Sequence, residues 1–361
     1  MGATQSIRFI PAAGHHPIAE RLQREVDGEV LFDAASRGRY ATDASIYQIM
    51  PVGVVVPKTP ESARIAVQIA LEAGVPVLPR GGGTSQCGQT VGAALVIDHS
   101  KYLNRVLSVD AEQRRAVVEP GLVLDHLNAR LKADGLWYPI DVSTSAQATL
   151  GGMAGNNSCG SRSIAYGNMV HNVAGIEMLL ADGRAEKFGE VGACSDAALV
   201  QQIRAICERE KDEIAARFPR LLRRVAGYNL DIFAPRDPLH YNSASPNLAH
   251  LLVGSEGTLG VFQLLDLKLS PLPAHRALGV VNFPTFHQAM DLTRHIVTLG
   301  PTAVELVDRT MIDLSRENPA FRPVIEAALI AQPQALLLVE FAGGEAAPLA
   351  GKLGELAAMM G

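Results

Sequence analysis

The stretch Val75-Pro-Val-Leu-Pro-Arg-Gly-Gly-Gly-Thr-Ser85 constrains this chain more than any other, because an apolar strand runs directly into three consecutive glycines. Glycine inside a helix or strand costs roughly 0.5–1 kcal/mol relative to alanine, so three in a row mark a loop. The residues upstream fix how that loop is delivered. Val52-Gly-Val-Val-Val-Pro57 reads as a short buried strand. Thr59, Pro60 and Glu61 supply an N-cap, a proline at the first helical position and an acid in the first turn. The helix should run to Ala73 and stop at Gly74, with Ile65, Ile69 and Ala73 on one face. A strand–helix–strand unit therefore ends in the glycine loop.

Without side chains, Gly81, Gly82 and Gly83 can aim successive N–H groups into one concavity, a geometry that suits a diphosphate. Thr84 and Ser85 add hydroxyls, and Arg80 can either offset charge or face solvent. The same run also suits a flexible surface turn, and the loop alone leaves both readings open. It is neither a G-x-G-x-x-G fingerprint nor a loop ending in Gly-Lys-Ser/Thr, so a Rossmann nicotinamide site is a poor reading. Two later clusters strengthen the ligand reading. In Ala148-Thr-Leu-Gly-Gly-Met-Ala-Gly-Asn-Asn-Ser-Cys-Gly160, glycines and Ala154 bare one face while Asn156, Asn157 and Ser158 offer polar groups. Packing through small residues would explain the glycines but not the amides and hydroxyl. Val253-Gly-Ser-Glu-Gly-Thr-Leu-Gly260 repeats the theme, and its Glu256 can accept from ribose hydroxyls or cap a turn.

The rest of the chain bounds the setting. With 361 residues, 48% hydrophobic and 19% charged, it suits a soluble globular protein of two domains. A net charge of -5 without a dense basic stripe argues against a nucleic-acid partner. Cys87, Cys159, Cys194 and Cys207 show no C-x-x-C spacing, hence no disulfide framework, zinc site or iron–sulfur site. No apolar run reaches the roughly 20 residues of a transmembrane helix, and no signal core opens the chain. Cytoplasmic residence is expected, with peripheral attachment to the inner face of the membrane as an option.

Strands are expected at 94–97, 106–109 and 116–119, then a helix over 122–133 with Val123, Leu127 and Leu131 on one face. Asp182-Gly183 should turn a hairpin between 173–180 and 185–188. Residues 196–224 read as helical and charged. After Pro271 and Pro273, alternating strands and helices give most of a β-α-β-β-α-β layout whose last strand is missing. The fold class is therefore α+β, and the chain is expected to be a fragment of a longer polypeptide.

From Val52 to about Leu269 the sequence resembles the FAD-binding domain of the vanillyl-alcohol-oxidase and p-cresol-methylhydroxylase (PCMH) superfamily. The resemblance is to the branch of glycolate oxidase large subunits, D-lactate dehydrogenases and D-2-hydroxyglutarate dehydrogenases. The motifs that carry it are Arg80-Gly-Gly-Gly-Thr-Ser85, Val118-Glu-Pro-Gly121, Thr149-Leu-Gly-Gly152, Gly155-Asn-Asn-Ser-Cys-Gly160, Tyr166-Gly167, Leu180-Ala-Asp-Gly183 and Gly254-Ser-Glu-Gly-Thr-Leu-Gly260. Arg39-Tyr-Ala-Thr-Asp-Ala-Ser-Ile-Tyr47 is similar to large bacterial members with a C-terminal iron–sulfur region.

The resemblance implies a two-subdomain PCMH-type FAD-binding domain over 51–270, with a helical insertion at about 196–250. It follows an N-terminal extension (1–50) and precedes an incomplete ferredoxin-like cap domain (271–361). It places Arg80, Gly81, Gly82, Gly83, Thr84 and Ser85 at the pyrophosphate, and Thr149, Gly151, Gly152, Gly155, Asn156, Ser158 and Gly160 along the ribityl chain and flavin. Tyr166 joins that set, and Glu256 and Gly257 lie by the adenine. Where some relatives tether FAD through a histidine, this chain has Thr84 and Ser85, with Cys87 further on, so non-covalent FAD is implied. The family's H-x-x-G-D-G-N-x-H string and its cysteine-rich iron–sulfur motif are absent. A metal or cluster is thus expected only beyond Gly361.

The implied activity is oxidation of a small 2-hydroxy acid (D-lactate, D-2-hydroxyglutarate or glycolate), with electrons leaving to a quinone, cytochrome or iron–sulfur acceptor. The alternatives are an oxygen-using flavin oxidase and a catalytically incomplete FAD-binding module. Arg39, Arg223, Arg224 and Tyr228 are candidates for a carboxylate clamp or pocket wall, since arginine forks match carboxylates. Arg223 and Arg224 equally suit the end of a charged surface helix. His171 is a candidate base or a structural hydrogen-bonding group, and His126 reads as a residue of an amphipathic helix. His240 and His250 show no metal-pair spacing.

Overall fold

A computed structural model describes residues 16–221, 223–233 and 246–360, which places His240 outside the described residues. The chain divides into two compact units. The first takes residues up to Tyr138, Ser143–Ser158 and Met169–Ser270; the second takes Pro139–Val142, Cys159–Asn168 and Pro271–Gly361.

The first unit holds two sheets. One comprises β1 (Gly28–Leu31), β2 (Gly53–Pro57), β3 (Val77–Arg80) and β4 (Leu95–Asp98), in the order β1-β2-β4-β3. β2, β4 and β3 are parallel, and β1 closes one edge antiparallel to β2. The crossover between β2 and β3 is the helix Pro60–Glu72. Thr59 Oγ1 accepts from Ser62 N–H at 3.1 Å, and Gly74 ends the helix at φ +64°. The helix buries Ala63, Ala66, Val67, Ile69 and Ala70 in a core shared with Val55, Leu95 and Ile97. Each fully buried Val, Leu or Ile in that core contributes roughly 1.5–3 kcal/mol.

Within the N-terminal extension (1–50) that the resemblance implies, the described residues 16–50 are built into this unit. The helix Ala19–Glu25 sends Ala19 and Leu22 into the same core, β1 pairs with β2, and the helix Ala34–Arg39 leads into Tyr40.

The second sheet is antiparallel: β5 (Val106–Asp110), β6 (Arg115–Val118), β8 (Val173–Leu180), β9 (Ala185–Phe188) and β10 (Gly260–Lys268), in the order β5-β6-β10-β8-β9. A two-residue strand, β7, covers Leu136–Trp137. The β8–β9 hairpin turns at Asp182-Gly183, where Gly183 has φ +81°. The helix after β6 is shorter than expected, Leu124–Leu131. Leu124, Leu127 and Leu131 form its buried face, whereas Val123 precedes the helix and bridges to Thr149, and His126 is exposed. The 196–224 segment breaks after two helices, Ala197–Arg209 and Lys211–Arg217.

After the two-residue β11 (Ser270–Pro271), the second unit carries β12 (His275–Phe283), β13 (Ala303–Asp308) and β14 (Ala335–Gly343), with β14 central and antiparallel to both neighbours. Helices Phe286–Ile296, Arg309–Glu317, Arg322–Ala328 and Ala346–Met360 alternate with these strands. The last lies close to the sheet because Gly279 has no side chain: a Cβ there would stand 2.5 Å from Leu356 Cδ2. Arg162 ties the short segments of this unit to its sheet. Its Nε and Nη2 donate to Glu340 at 2.8 Å each, and its Nη1 meets Asp141 at 3.2 Å. This pairing holds the Glu340 carboxyl below its ordinary pKa.

Candidate functional site

Wholly within the first unit lies a cleft. It is assembled from the ends of several elements. Pro79, Arg80 and Gly81 come from the end of β3, His99 from the end of β4, and Pro120 from just after β6. Thr149, Gly151, Gly152, Gly155 and Asn156 come from the helix Leu150–Gly155 and its flanks. Glu256, Gly257, Gly260 and Phe262 come from the third glycine cluster and β10. Gln89 and Thr90 complete the lining. The carboxyl ends of parallel strands are the usual place for a ligand in an open α/β sheet.

The glycines of this lining serve two purposes. Some let protein segments touch: a Cβ on Gly81 would stand 1.9 Å from Thr149 Oγ1, and one on Gly151 would stand 2.6 Å from Pro120 Cβ. Gly155 differs, since a Cβ there would meet nothing nearer than Glu256 Cα at 3.9 Å. Its open face leaves room for a ligand against the backbone.

The Arg80 guanidinium is not aimed at an anion. It donates to the carbonyls of Tyr40 (3.0 Å), Thr90 (3.2 Å) and Thr42 (2.7 Å), and it stacks on the Tyr40 ring. Arg80 thus fastens residues 40–44 to the glycine loop, helped by Ala44 N–H donating to Gly83 O at 3.1 Å. Burial lowers the pKa of this arginine. Gly82, Gly83, Thr84 and Ser85 are not among the lining residues.

Elsewhere the nominated residues scatter. Asn157 faces protein: its Nδ2 donates to Arg224 O at 3.2 Å and its Oδ1 accepts from Val170 N–H at 3.0 Å. Ser158 lies off the lining, and Gly160 and Tyr166 belong to the second unit. Arg224 is committed to Asp231 through a two-pronged pair of 2.8 and 2.7 Å and to Asn229 Oδ1 at 3.0 Å. Arg39 and Arg223 are exposed, and Tyr228 shares a 2.7 Å hydrogen bond with Thr258 Oγ1. His171 is half-buried in the short helix Met169–Asn172. None of these lines the cleft, nor does the exposed Cys87. Among the described residues, no group of three or more His, Cys, Asp or Glu is placed to hold a metal ion.

Sequence reasoning passed over Gln89, Thr90, His99 and Phe262. His99 had a usable signal: Asp98-His99 places polar residues at the end of an apolar strand beside the strand that delivers the glycine loop. Burial drives its pKa down to about 4, against the opposing pull of Asp98 and other groups, so the ring is neutral at ordinary pH. Three buried polar atoms at the cleft have no hydrogen-bond partner among the described residues: Gln89 Oε1, His99 Nε2 and Thr149 Oγ1.

Comparison with known proteins agrees with this geometry. Residues 51–189 match the model of an FAD binding domain, and residues 272–361 match the C-terminal domain of FAD linked oxidases. A D-2-hydroxyglutarate dehydrogenase of Pantoea ananatis is 31% identical over 350 residues, covering 92% of this chain and 34% of that protein. Glycolate oxidase subunit GlcD of Bacillus subtilis is 29% identical over 294 residues, covering 79% of this chain and 52% of its own. A solved structure of alkyldihydroxyacetonephosphate synthase shares the fold, with a TM-score of 0.68 at 18% identity, over 99% of this chain and 61% of that one. The chain spans about a third of the length of the D-2-hydroxyglutarate dehydrogenases it matches. No helix among the described residues is long and apolar enough to cross a membrane. With both domain matches in chain order, the protein belongs to the FAD-linked oxidases, homologous to bacterial D-2-hydroxyglutarate dehydrogenases and glycolate oxidase subunits, and its cofactor is FAD held without a covalent bond.

Proposed function

We propose that the whole protein oxidises a small 2-hydroxy acid (D-lactate, D-2-hydroxyglutarate or glycolate), with FAD as the two-electron acceptor and a quinone, cytochrome or iron–sulfur centre as the next. The single observation that carries the reading is the first-unit cleft, which pairs an open backbone face at Gly155 with three buried polar atoms that have no partner among the described residues. Those features fit a flavin dinucleotide, which brings hydroxyl and amino donors as well as phosphates. Printed names of the relatives support the substrate class, because they include D-2-hydroxyglutarate and D-lactate dehydrogenases and a glycolate oxidase subunit.

In this reading Gly81, Thr149, Gly152, Gly155, Asn156, Glu256 and Gly257 hold the dinucleotide, mostly through main-chain groups. Arg80 is a positioning residue: it acts by holding residues 40–44 against the glycine loop. Pro79, Pro120 and Phe262 give the cleft apolar wall and keep water from the bound ring system. Removing a hydroxyl proton from substrate needs a base within hydrogen-bond reach. Arg39, Arg223, Arg224, Tyr228 and His171 all lie off the cleft lining, which favours a second reading for this stretch of chain alone: an FAD-binding module that does not turn over unaided.

The test is reconstitution with FAD followed by anaerobic mixing of the full-length protein with D-lactate, D-2-hydroxyglutarate and glycolate. Bleaching of the flavin band by one acid is the expected result. A folded protein that takes up no FAD would remove the reading altogether, whereas bound flavin untouched by all three acids would remove only the substrate class.

A further inference from the structure

We infer that His99 is a recognition residue for the flavin nucleotide: its Nε2, buried and unpartnered at the cleft, makes a hydrogen bond to FAD. The inference rests on the cleft being the FAD site.

His99 is 4% exposed, lines the cleft, and its Nε2 has no partner among the described residues. A neutral imidazole carries one N–H and one bare nitrogen, so a buried Nε2 facing the cleft is satisfied by a ligand group of complementary sense.

The neighbouring acids do not fill the gap. Asp98 accepts from Tyr40 Oη at 2.7 Å and from Ser100 N–H at 2.8 Å. Glu119 accepts from Arg105 N–H and Nη2 at 2.8 Å each. Nor is the imidazole needed to shape its turn. The backbone does that: His99 N–H donates to Arg80 O at 3.1 Å, Leu103 N–H donates to His99 O at 3.1 Å, and Gly121 packs against that carbonyl. A buried polar atom with no partner is costly, and a ligand that supplies one recovers the loss. FAD carries hydrogen-bonding groups at both ends: the flavin ring edge and ribityl hydroxyls at one, the diphosphate and adenosine at the other.

The experiment titrates flavin-free full-length protein with FAD, FMN and ADP by calorimetry, comparing wild type with His99→Leu and His99→Gln. Unliganded melting temperatures should agree within a few degrees. His99→Leu should weaken FAD roughly 3- to 10-fold, the loss of one buried hydrogen bond, and His99→Gln, which keeps a hydrogen-bonding group, should recover most of it. A matching loss for FMN assigns the flavin and ribityl end, and a matching loss for ADP assigns the diphosphate and adenosine end; either supports the inference. Unchanged FAD affinity in His99→Leu overturns it, as does a loss that His99→Gln shares together with a lowered melting temperature. Should His99→Leu fail to fold, nitrogen-15 spectra of histidine-labelled wild type decide. The His99 Nε2 resonance must move on adding FAD, and a stationary resonance in flavin-loaded protein overturns the claim. If wild type binds no FAD, the cleft assignment and this inference fall together, whereas binding with an indifferent His99 sinks the inference alone.

Discussion

Around Arg224 the polar groups close on one another, whereas along the cleft wall they stop short of partners. Arg224 faces Asp231 with both prongs, takes in Asn229 Oδ1 and stacks on Phe218. Asn229 in turn donates to the carbonyls of His250 and Val253 at 2.8 and 3.1 Å. At the cleft, Gln89, His99 and Thr149 each end in a buried atom that nothing among the described residues satisfies. Buried polar groups are normally paired, so a closed cluster reads as structure and an open one as a place for something else. The contrast yields opposite expectations for the two clusters: damage to the first costs stability, and damage to the second costs ligand.

The largest effect should come from Asp231→Ala. The Arg224–Asp231 side chains are 14% and 3% exposed, so the substitution strands a largely buried guanidinium. Removing one partner of a buried pair costs about 3–5 kcal/mol. Denaturant unfolding should report that loss, while the folded fraction keeps wild-type affinity for FAD. A variant with normal stability and weakened FAD would erase the distinction between the clusters.

Acid should find the next effect. His99 and His250 are both buried, and burial lowers their pKa values to about 4 and about 3; Lys268 and His171 add to the shift at His250. Both folded-state values lie below the ordinary 6.5, so the unfolded chain takes up protons first as pH falls. Their contribution is complete above about pH 6.5 and drains away toward pH 4 for His99 and pH 3 for His250. Each contributes a slope of up to about 1.4 kcal/mol per pH unit in that window. His99→Gln should remove one histidine's share of the slope and leave stability at pH 7.5 nearly unchanged. An unaltered slope between pH 6 and 4 would mean that His99 is not held neutral.

Residue types at the cleft were legible because backbone exposure leaves a sequence trace. Gly155 and Gly257 stand out in a string, and a strand ending in Arg80-Gly81 points to the carboxyl edge of a parallel sheet. The strands and the Asp182-Gly183 hairpin were legible for a similar reason, since period and turn chemistry are local. Pairing is not local. Arg224 looks the same in sequence whether it clamps a substrate carboxylate or Asp231, and nothing in the string shows that the Arg80 guanidinium reaches back to Tyr40 and Thr42. For His99 the string shows only a place, the polar end of an apolar strand; its meaning comes from what fails to meet it among the described residues. The 16–50 region was missed because β1 pairs with β2 across more than 20 residues of intervening chain.

The smallest effect on stability, and the sharpest division between the clusters, should come from Thr149→Val. Thr149 Oγ1 is buried and without a partner among the described residues, and the side chain packs where Gly81 passes closest. Valine keeps the branched shape and drops the hydroxyl, so the unliganded protein loses no hydrogen bond and sheds an unsatisfied polar atom. The melting temperature without flavin should hold or rise slightly. If the hydroxyl serves FAD, its removal should weaken binding by about 1 kcal/mol, roughly fivefold in dissociation constant. Stability and affinity then move in opposite directions, which no residue of the Arg224 cluster can imitate. A Thr149→Val protein that melts several degrees lower would show that this hydroxyl has a structural partner after all, and the cleft wall would join the closed cluster as part of the scaffold.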